Sequence, residues 1–273
     1  MTPFLRIRAV NTASDSENRI HDNHVAAEYG FRGGLVPGVT IYGYMAAAVI
    51  NHLGAEWLHR GAIDVRFFEP YYDGEEVVIS LAELPEGRIK VEAGSRASAT
   101  AWLENFRSRD RQEAGKPAKP PIRNDRNSLL DANSPEDLPP SHSAPKQLAS
   151  RETIRSGTIL GTLEKTLDLS QPGVSAPLDA FIGPQRFAHP AIILGLANEL
   201  LMHNYDLGPW IHSSSEVRNA SAALDGEHLE VRGKITDAYE RKGHEFLVMD
   251  AAVLSSGRLV SRIRHTAIWK PRK

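Results

Sequence analysis

The sequence predicts an α+β chain built as two tandem copies of one unit, each a long buried helix wrapped by a curved antiparallel sheet. Three observations predict it. Short motifs recur at a nearly constant spacing: Asp64-Val65-Arg66 and Asp73-Gly74-Glu75 return as Glu216-Val217-Arg218 and Asp225-Gly226-Glu227, 152 residues on, and Trp57-Leu58-His59 returns as Trp210-Ile211-His212, 153 residues on. Each block follows an apolar segment of helical length. Strand-like runs separated by glycine turns come next in both halves. Internal repetition of this kind argues against two unrelated α+β domains, because a half-buried sheet repeated in one chain can pair with its own copy.

The first helix is expected from Gly38 to about Leu53. Its apolar stretch IYGYMAAAVI spans residues 41–50 and ends at Asn51-His52, about half of the ~20 residues that a bilayer demands, so it reads as a buried helix. The strand-like runs EEVVISLAEL and RIKVEAGSRASATAWL follow. The second helix is expected from Pro190 to about Asn204, with proline well placed in the first turn. After it come HLEVRGKITDAY, HEFLVMDAAVL and RLVSRIRHTAIW, joined like the others by DG, EG, KG and SG turns. Between the halves, seven of the 17 prolines fall at positions 117–145, and no Phe, Tyr or Trp occurs between Phe106 and Phe181. That composition is a linker. The expected division is residues 1–110, a linker at 111–150, and residues 151–273. A helix wrapped by a curved antiparallel sheet is the hotdog architecture, and two tandem copies pairing their sheets edge to edge make a double hotdog.

Composition narrows the function. A chain of 273 residues with 41% hydrophobic content can fill a sizeable core. Acidic and basic residues nearly cancel, 34 against 32, with no long block of either sign. Nucleic acid and anionic membrane are therefore not expected as partners; a small molecule or another protein is. Cysteine is absent, which excludes disulfides, thiolate nucleophiles and cysteine-ligated zinc, and points to a reducing, cytoplasmic compartment. The N-terminal MTPFLRIRAV lacks the apolar run of a signal peptide.

The chemistry concentrates in residues 16–38. Ser16-Glu17-Asn18-Arg19-Ile20-His21 is followed, five residues further, by Ala27, then Gly30-Phe31, Gly33-Gly34 and Pro37-Gly38 at the helix start. This resembles the MaoC-like, R-specific enoyl-CoA hydratase pattern, Asp-x-Asn-Pro-x-His-x5-Ala, then Gly-Phe, then His-Gly at the head of the hotdog helix. The resemblance implies reversible hydration of a trans-2-enoyl-CoA, or dehydration of a (R)-3-hydroxyacyl-CoA, within fatty acid metabolism. It makes His21 the acid/base residue and Asn18 its support. Ser16 stands where the family carries its catalytic Asp, and Asp15 and Asp22 are the neighbouring carboxylates. The backbone at Pro37, Gly38 and Val39 is implied to hold the thioester carbonyl, which suits a helix N-terminus, and Arg32 is a candidate contact for the phosphates of coenzyme A. No cofactor is implied beyond the coenzyme A carried by the substrate, or an acyl carrier in its place.

Other readings stay open. Because a serine hydroxyl cannot replace a carboxylate base, the chain is alternatively a non-catalytic acyl-CoA-binding protein. Glu199, inside the second helix, would suit an acyl-CoA thioesterase, or simply a solvent-facing position. His21 and His24 have i, i+3 spacing but no further ligand set, so no metal is expected. Gly30, Gly33 and Gly34 form no phosphate-binding motif and are expected in tight turns. Tyr42, Tyr44 and the segment EPYYDGEE are expected to pack the core and line the acyl tunnel. The second copy lacks the Asp-x-Asn-x-x-His motif, although His189-Pro190 sits at the head of its helix. One working site per chain is expected, in a pseudo-dimer that is compatible with a homodimer of whole chains.

Overall fold

The computed structural model describes residues 2–104, 138–170 and 186–273. One ten-stranded antiparallel sheet runs through both halves. In chain order its strands are β1 (Thr2–Arg8), β2 (Gly61–Phe67), β3 (Glu76–Leu84), β4 (Arg88–Ala93), β5 (Ala97–Leu103), β7 (Leu163–Thr166), β9 (Ile211–Asn219), β10 (His228–Arg241), β11 (His244–Ser255) and β12 (Arg258–Lys270). Their spatial order is β1-β3-β4-β5-β2-β9-β12-β11-β10-β7. Read outward from the centre, both halves have the same order: second strand, fifth, fourth, third, first. A separate parallel pair joins β6 (Gln147–Leu148) to β8 (Tyr205–Asp206).

The halves meet where β2 pairs with β9, with Asp64 opposite Glu216, Ala62 opposite Arg218 and Arg66 opposite Ser214. The repeat noticed in the sequence is therefore the pseudo-twofold axis itself: equivalent residues Asp64 and Glu216 face one another, as an isologous contact requires. Two like charges at that point would repel, and Arg218 offsets them with Nη1 2.7 Å from Asp64 and Nη2 3.8 Å from Glu216.

The helix expected at Gly38–Leu53 is present with those bounds (α2, after the short α1, Asn23–Glu28). Every residue from Thr40 to Ile50 is buried, which is how a helix apolar on all sides must sit. It stops at Gly54, whose φ of 83° suits glycine and whose N–H reaches Ile50 O at 2.7 Å. A short α3 (Trp57–Arg60) follows, and the second long helix, α4, runs Pro190–Asn204 as expected. Hairpin turns come from residue pairs with positive φ: Glu86-Gly87 between β3 and β4, Lys242-Gly243 between β10 and β11, and Ser256-Gly257 between β11 and β12. Such turns carry the right-handed twist of the strands they join.

Three elements differ from the sequence reading. The run at 88–103 is two strands folded at Gly94, whose φ is 51°. The outer strands β1 and β7 and the central strands β2 and β9, two per half, were not among the expected runs. Of the linker expected at 111–150, residues 111–137 are outside the described residues; beyond them Leu138 packs on Ala252 and Leu254, so this part rests on the second sheet. Among the described residues no helix is long and apolar enough to cross a membrane. Tyr42 and Tyr44 are buried in the main core, as expected.

Candidate functional site

The stretch leading to α2 is a set of interlocked caps. Asn18 caps a single 3-10 turn, Arg19–His21, by accepting from Ile20 N at 3.3 Å. Asp22 then caps α1, its Oδ1 accepting from His24 N at 2.9 Å and Val25 N at 3.0 Å, while Arg19 pairs with its other oxygen at 2.8 Å. The chain returns across the turn: Leu35 N donates to Ile20 O at 3.2 Å and Asn11 Nδ2 to His21 O at 2.9 Å. Gly30 serves a turn, with φ 81°. Gly34 serves a close approach instead, because a Cβ there would stand 2.0 Å from His21 O.

These contacts fix His21. Its Nδ1 lies 2.6 Å from Leu35 O, and a carbonyl only accepts, so Nδ1 carries the proton and Nε2 is the bare nitrogen of the neutral ring. Asn18 Nδ2 is 3.3 Å from that Nε2. The orientation of the Asn18 amide follows from the second half of the chain, since Oδ1 accepts from Trp210 N at 3.1 Å and Nδ2 donates to Trp210 O at 2.9 Å. Burial pushes the His21 pKa below its ordinary 6.5, opposed by the Leu35 hydrogen bond. The imidazole is thus an available base rather than a cation.

His21 and Asn18 line a cavity of about 230 Å³ whose walls include Ile20, Leu35, Ile41, Phe67 and Ile268, and whose floor is the head of α2 at Pro37 and Gly38. The second copy contributes Asn198 of α4 and residues 210–213 at the start of β9. At the head of α4, a pocket between Pro190, Ile193, Tyr42 and Leu58 has closed to about 20 Å³. Only the first of these two helix heads has room for more than a water molecule.

Of the residues singled out in the sequence, His21, Asn18, Pro37 and Gly38 are brought together on the cavity. The other four are not among its lining. Ser16 donates to Asn18 O at 3.2 Å, Asp15 is exposed, Val39 packs against the core, and Arg32 pairs with Glu75 and stacks over Tyr72 at 4.1 Å. Glu199 is held by Lys165, both carboxylate oxygens 2.7 Å from Nζ, and is also not part of the lining. His212 and Asn198 do line the cavity, and sequence reasoning missed both. The Trp210-Ile211-His212 repeat was a usable signal for His212, but it was read only as a mark of duplication.

Three further histidines are buried and neutral. Burial lowers His189 to about 4 and His265 to about 3. It lowers His212 well below 6.5, with the charge of His265 acting the same way. A folded pKa below the unfolded one means that, as pH falls from 6.5, the unfolded chain takes up protons first and stability declines, by up to about 1.4 kcal/mol per pH unit for each such histidine. Urea unfolding is therefore expected to shift to lower midpoints between pH 7 and pH ~4.5. A flat midpoint across that window would show that these rings are not held neutral.

No protein-family model matches the sequence, and no curated protein is similar enough to count as a match. Solved structures do match. A MaoC domain protein of Chloroflexus aurantiacus, assigned as a dehydratase, superposes with TM-score 0.62 at 11% identity, covering 99% of this chain and 94% of that one. A conserved Mycobacterium tuberculosis protein described as a double hotdog fold gives 0.53 at 14% identity, over 98% and 96%. The dehydratase domain of RzxB from Pseudomonas fluorescens gives 0.50 at 14%, over 96% and 94%. These likenesses span nearly the whole chain on both sides. Together with the repeated strand order and the two central helices, they identify the architecture: this chain is a double hotdog, two copies of one helix-and-sheet unit in a single polypeptide.

Proposed function

We propose that this chain is an acyl-thioester enzyme of the hydratase and dehydratase type, acting on an enoyl or 3-hydroxyacyl thioester with His21 as its single acid/base residue. The observation that carries this reading is the fixed tautomer of His21, whose bare Nε2 belongs to a half-buried ring on an apolar cavity. In the dehydrating direction, Nε2 takes a proton from C2 of a 3-hydroxyacyl thioester. The C2–H electrons become the C2=C3 bond as the C3–O bond breaks. The imidazolium then gives the same proton to the departing hydroxyl, releasing water and restoring neutral His21. Hydration is the reverse. The head of α2, where Pro37 offers no side-chain cap, leaves N–H groups for the carbonyl that gains negative charge. Gly38 lets that carbonyl approach the backbone.

One observation favours a second reading, a protein that binds acyl thioesters without turning them over. Neither Asp15 nor Asp22 is a partner of His21, and Ser16 is turned to the main chain. Incubation with short and medium trans-2-enoyl-CoA separates the readings. Falling enoyl-thioester absorbance without free thiol is expected. Binding with neither signal would favour the non-catalytic reading, and thiol release would favour hydrolysis.

A further inference from the structure

His212, Ser215 and His265 form a buried chain across β9 and β12 that the chemistry above leaves unused. His212 Nε2 is 2.8 Å from Ser215 Oγ, which is 3.1 Å from His265 Nδ1. The imidazole centroids are 4.3 Å apart, and Phe67 packs edge-on against His212 at 4.8 Å. Both rings are buried; the His212 ring also approaches the Ser214 main chain, yet its Nδ1 has no partner in good hydrogen-bond geometry among the described residues. Buried polar atoms in folded proteins are nearly always bonded, so an orphan on a residue that lines a cavity calls for a partner there.

This nitrogen stands at the head of α2. A Cβ built on Gly38 would come within 2.9 Å of it, and both residues line the cavity that His21 borders. The missing side chain of Gly38 therefore lets the His212 ring lie directly against the uncapped turn of the helix. Proton positions along the chain decide its polarity. Ser215 has one hydroxyl proton, so it donates to one imidazole and accepts from the other. If His212 donates through Nε2, its Nδ1 is a bare acceptor. If His265 donates through Nδ1, Ser215 donates to His212 Nε2, and His212 Nδ1 carries the hydrogen. A helix head gathers donors toward an acceptor, and the second arrangement adds one more donor to that set. Burial keeps the ring neutral, so the donor is an imidazole N–H rather than a cation.

We propose that His212 Nδ1–H, together with the head of α2, holds the carbonyl oxygen of the acyl thioester, so that the first copy's site is completed by the second copy, with Ser215 and His265 as positioning residues that set the tautomer. This rests on the acyl-thioester reading and names the partner of the carbonyl in it.

Calorimetric binding of butyryl-CoA and of S-butyl-CoA, the thioether in which a methylene replaces the carbonyl, tests the contact on the full chain. Wild type is expected to bind the thioester more than about tenfold more tightly, because the thioether loses the His212 contact and those of the helix head together. His212→Phe keeps an aromatic ring against Phe67 and is expected to lose about tenfold of that preference, the ordinary effect of one buried hydrogen bond, by weakening the thioester alone. His212→Gln, which retains a donor, is expected to keep part of it and serves where the Phe variant does not fold. The infrared band of an isotope-labelled carbonyl is expected to move down on binding wild type and to move less in either variant. An unchanged preference and band in the folded variants, or no preference in wild type, would overturn the role of His212 and leave the acyl-thioester reading standing. Failure of wild type to bind either ligand would overturn both.

Discussion

Replacing His21 with Gln is expected to lower hydration of the enoyl thioester by about 10²- to 10⁴-fold, the range lost when a positioned acid/base group is removed. Gln approximates the volume of the ring and its amide can donate to Leu35 O, as His21 Nδ1 does at 2.6 Å, so folding and ligand binding are expected to survive. It cannot take a proton from carbon or return one to a leaving hydroxyl. The same assignment sets the pH profile. The active form is the neutral ring, and burial holds its pKa below 6.5. Wild-type kcat/KM should therefore stay level above that value and fall only at more acid pH. Stopped assays across pH 4.5–8 with both proteins check this; a Gln variant with wild-type turnover would remove His21 from the mechanism.

The second large effect is on stability. Asn18 is buried at 5% exposure and is bonded to the main chain of Trp210 through both ends of its amide. Asn18→Ala would leave a buried N–H and a buried C=O without partners, each costing about 1–3 kcal/mol, so a loss of about 2–5 kcal/mol is expected. For a chain of this size that corresponds to a fall in Tm of roughly 5–15 °C. Turnover should drop as well, because the same side chain caps the turn that carries His21. Asn18→Asp keeps the acceptor and loses the donor, and is expected to fall between. Differential scanning calorimetry decides the matter: a Tm within a degree or two of wild type would mean that the 18–210 contact carries no stability.

Much of the fold was legible because its signals are local. Both central helices were readable from their apolar length, their starts from Pro37-Gly38 and Pro190 and their ends approximately. The hairpins were readable from X-Gly pairs, since few residue types accept positive φ. Strands β9 and β1 were harder. Ile211–Asn219 reads IHSSSEVRN, too polar for a core strand by composition, and it is central only because β2 and β12 flank it. That His21, Asn18 and Gly38 border one cavity was legible because they share a stretch of some 20 residues. His212 and Asn198 were not, because nothing in their local sequence says which cavity they border.

The division follows from the range of the forces involved. The sequence alone determined that there are two copies, where each helix starts and about where it stops, and which loop carries the histidine proposed as acid/base residue. These depend on propensity, capping and periodicity, which act over a few residues. The tertiary structure alone decided that no carboxylate among the described residues partners His21, that one helix head keeps a cavity while the other has almost none, and that a buried imidazole from the second copy stands at the first copy's helix head. Those outcomes depend on packing between segments some 150–200 residues apart, where a change of one side chain opens or fills a space that no local pattern records.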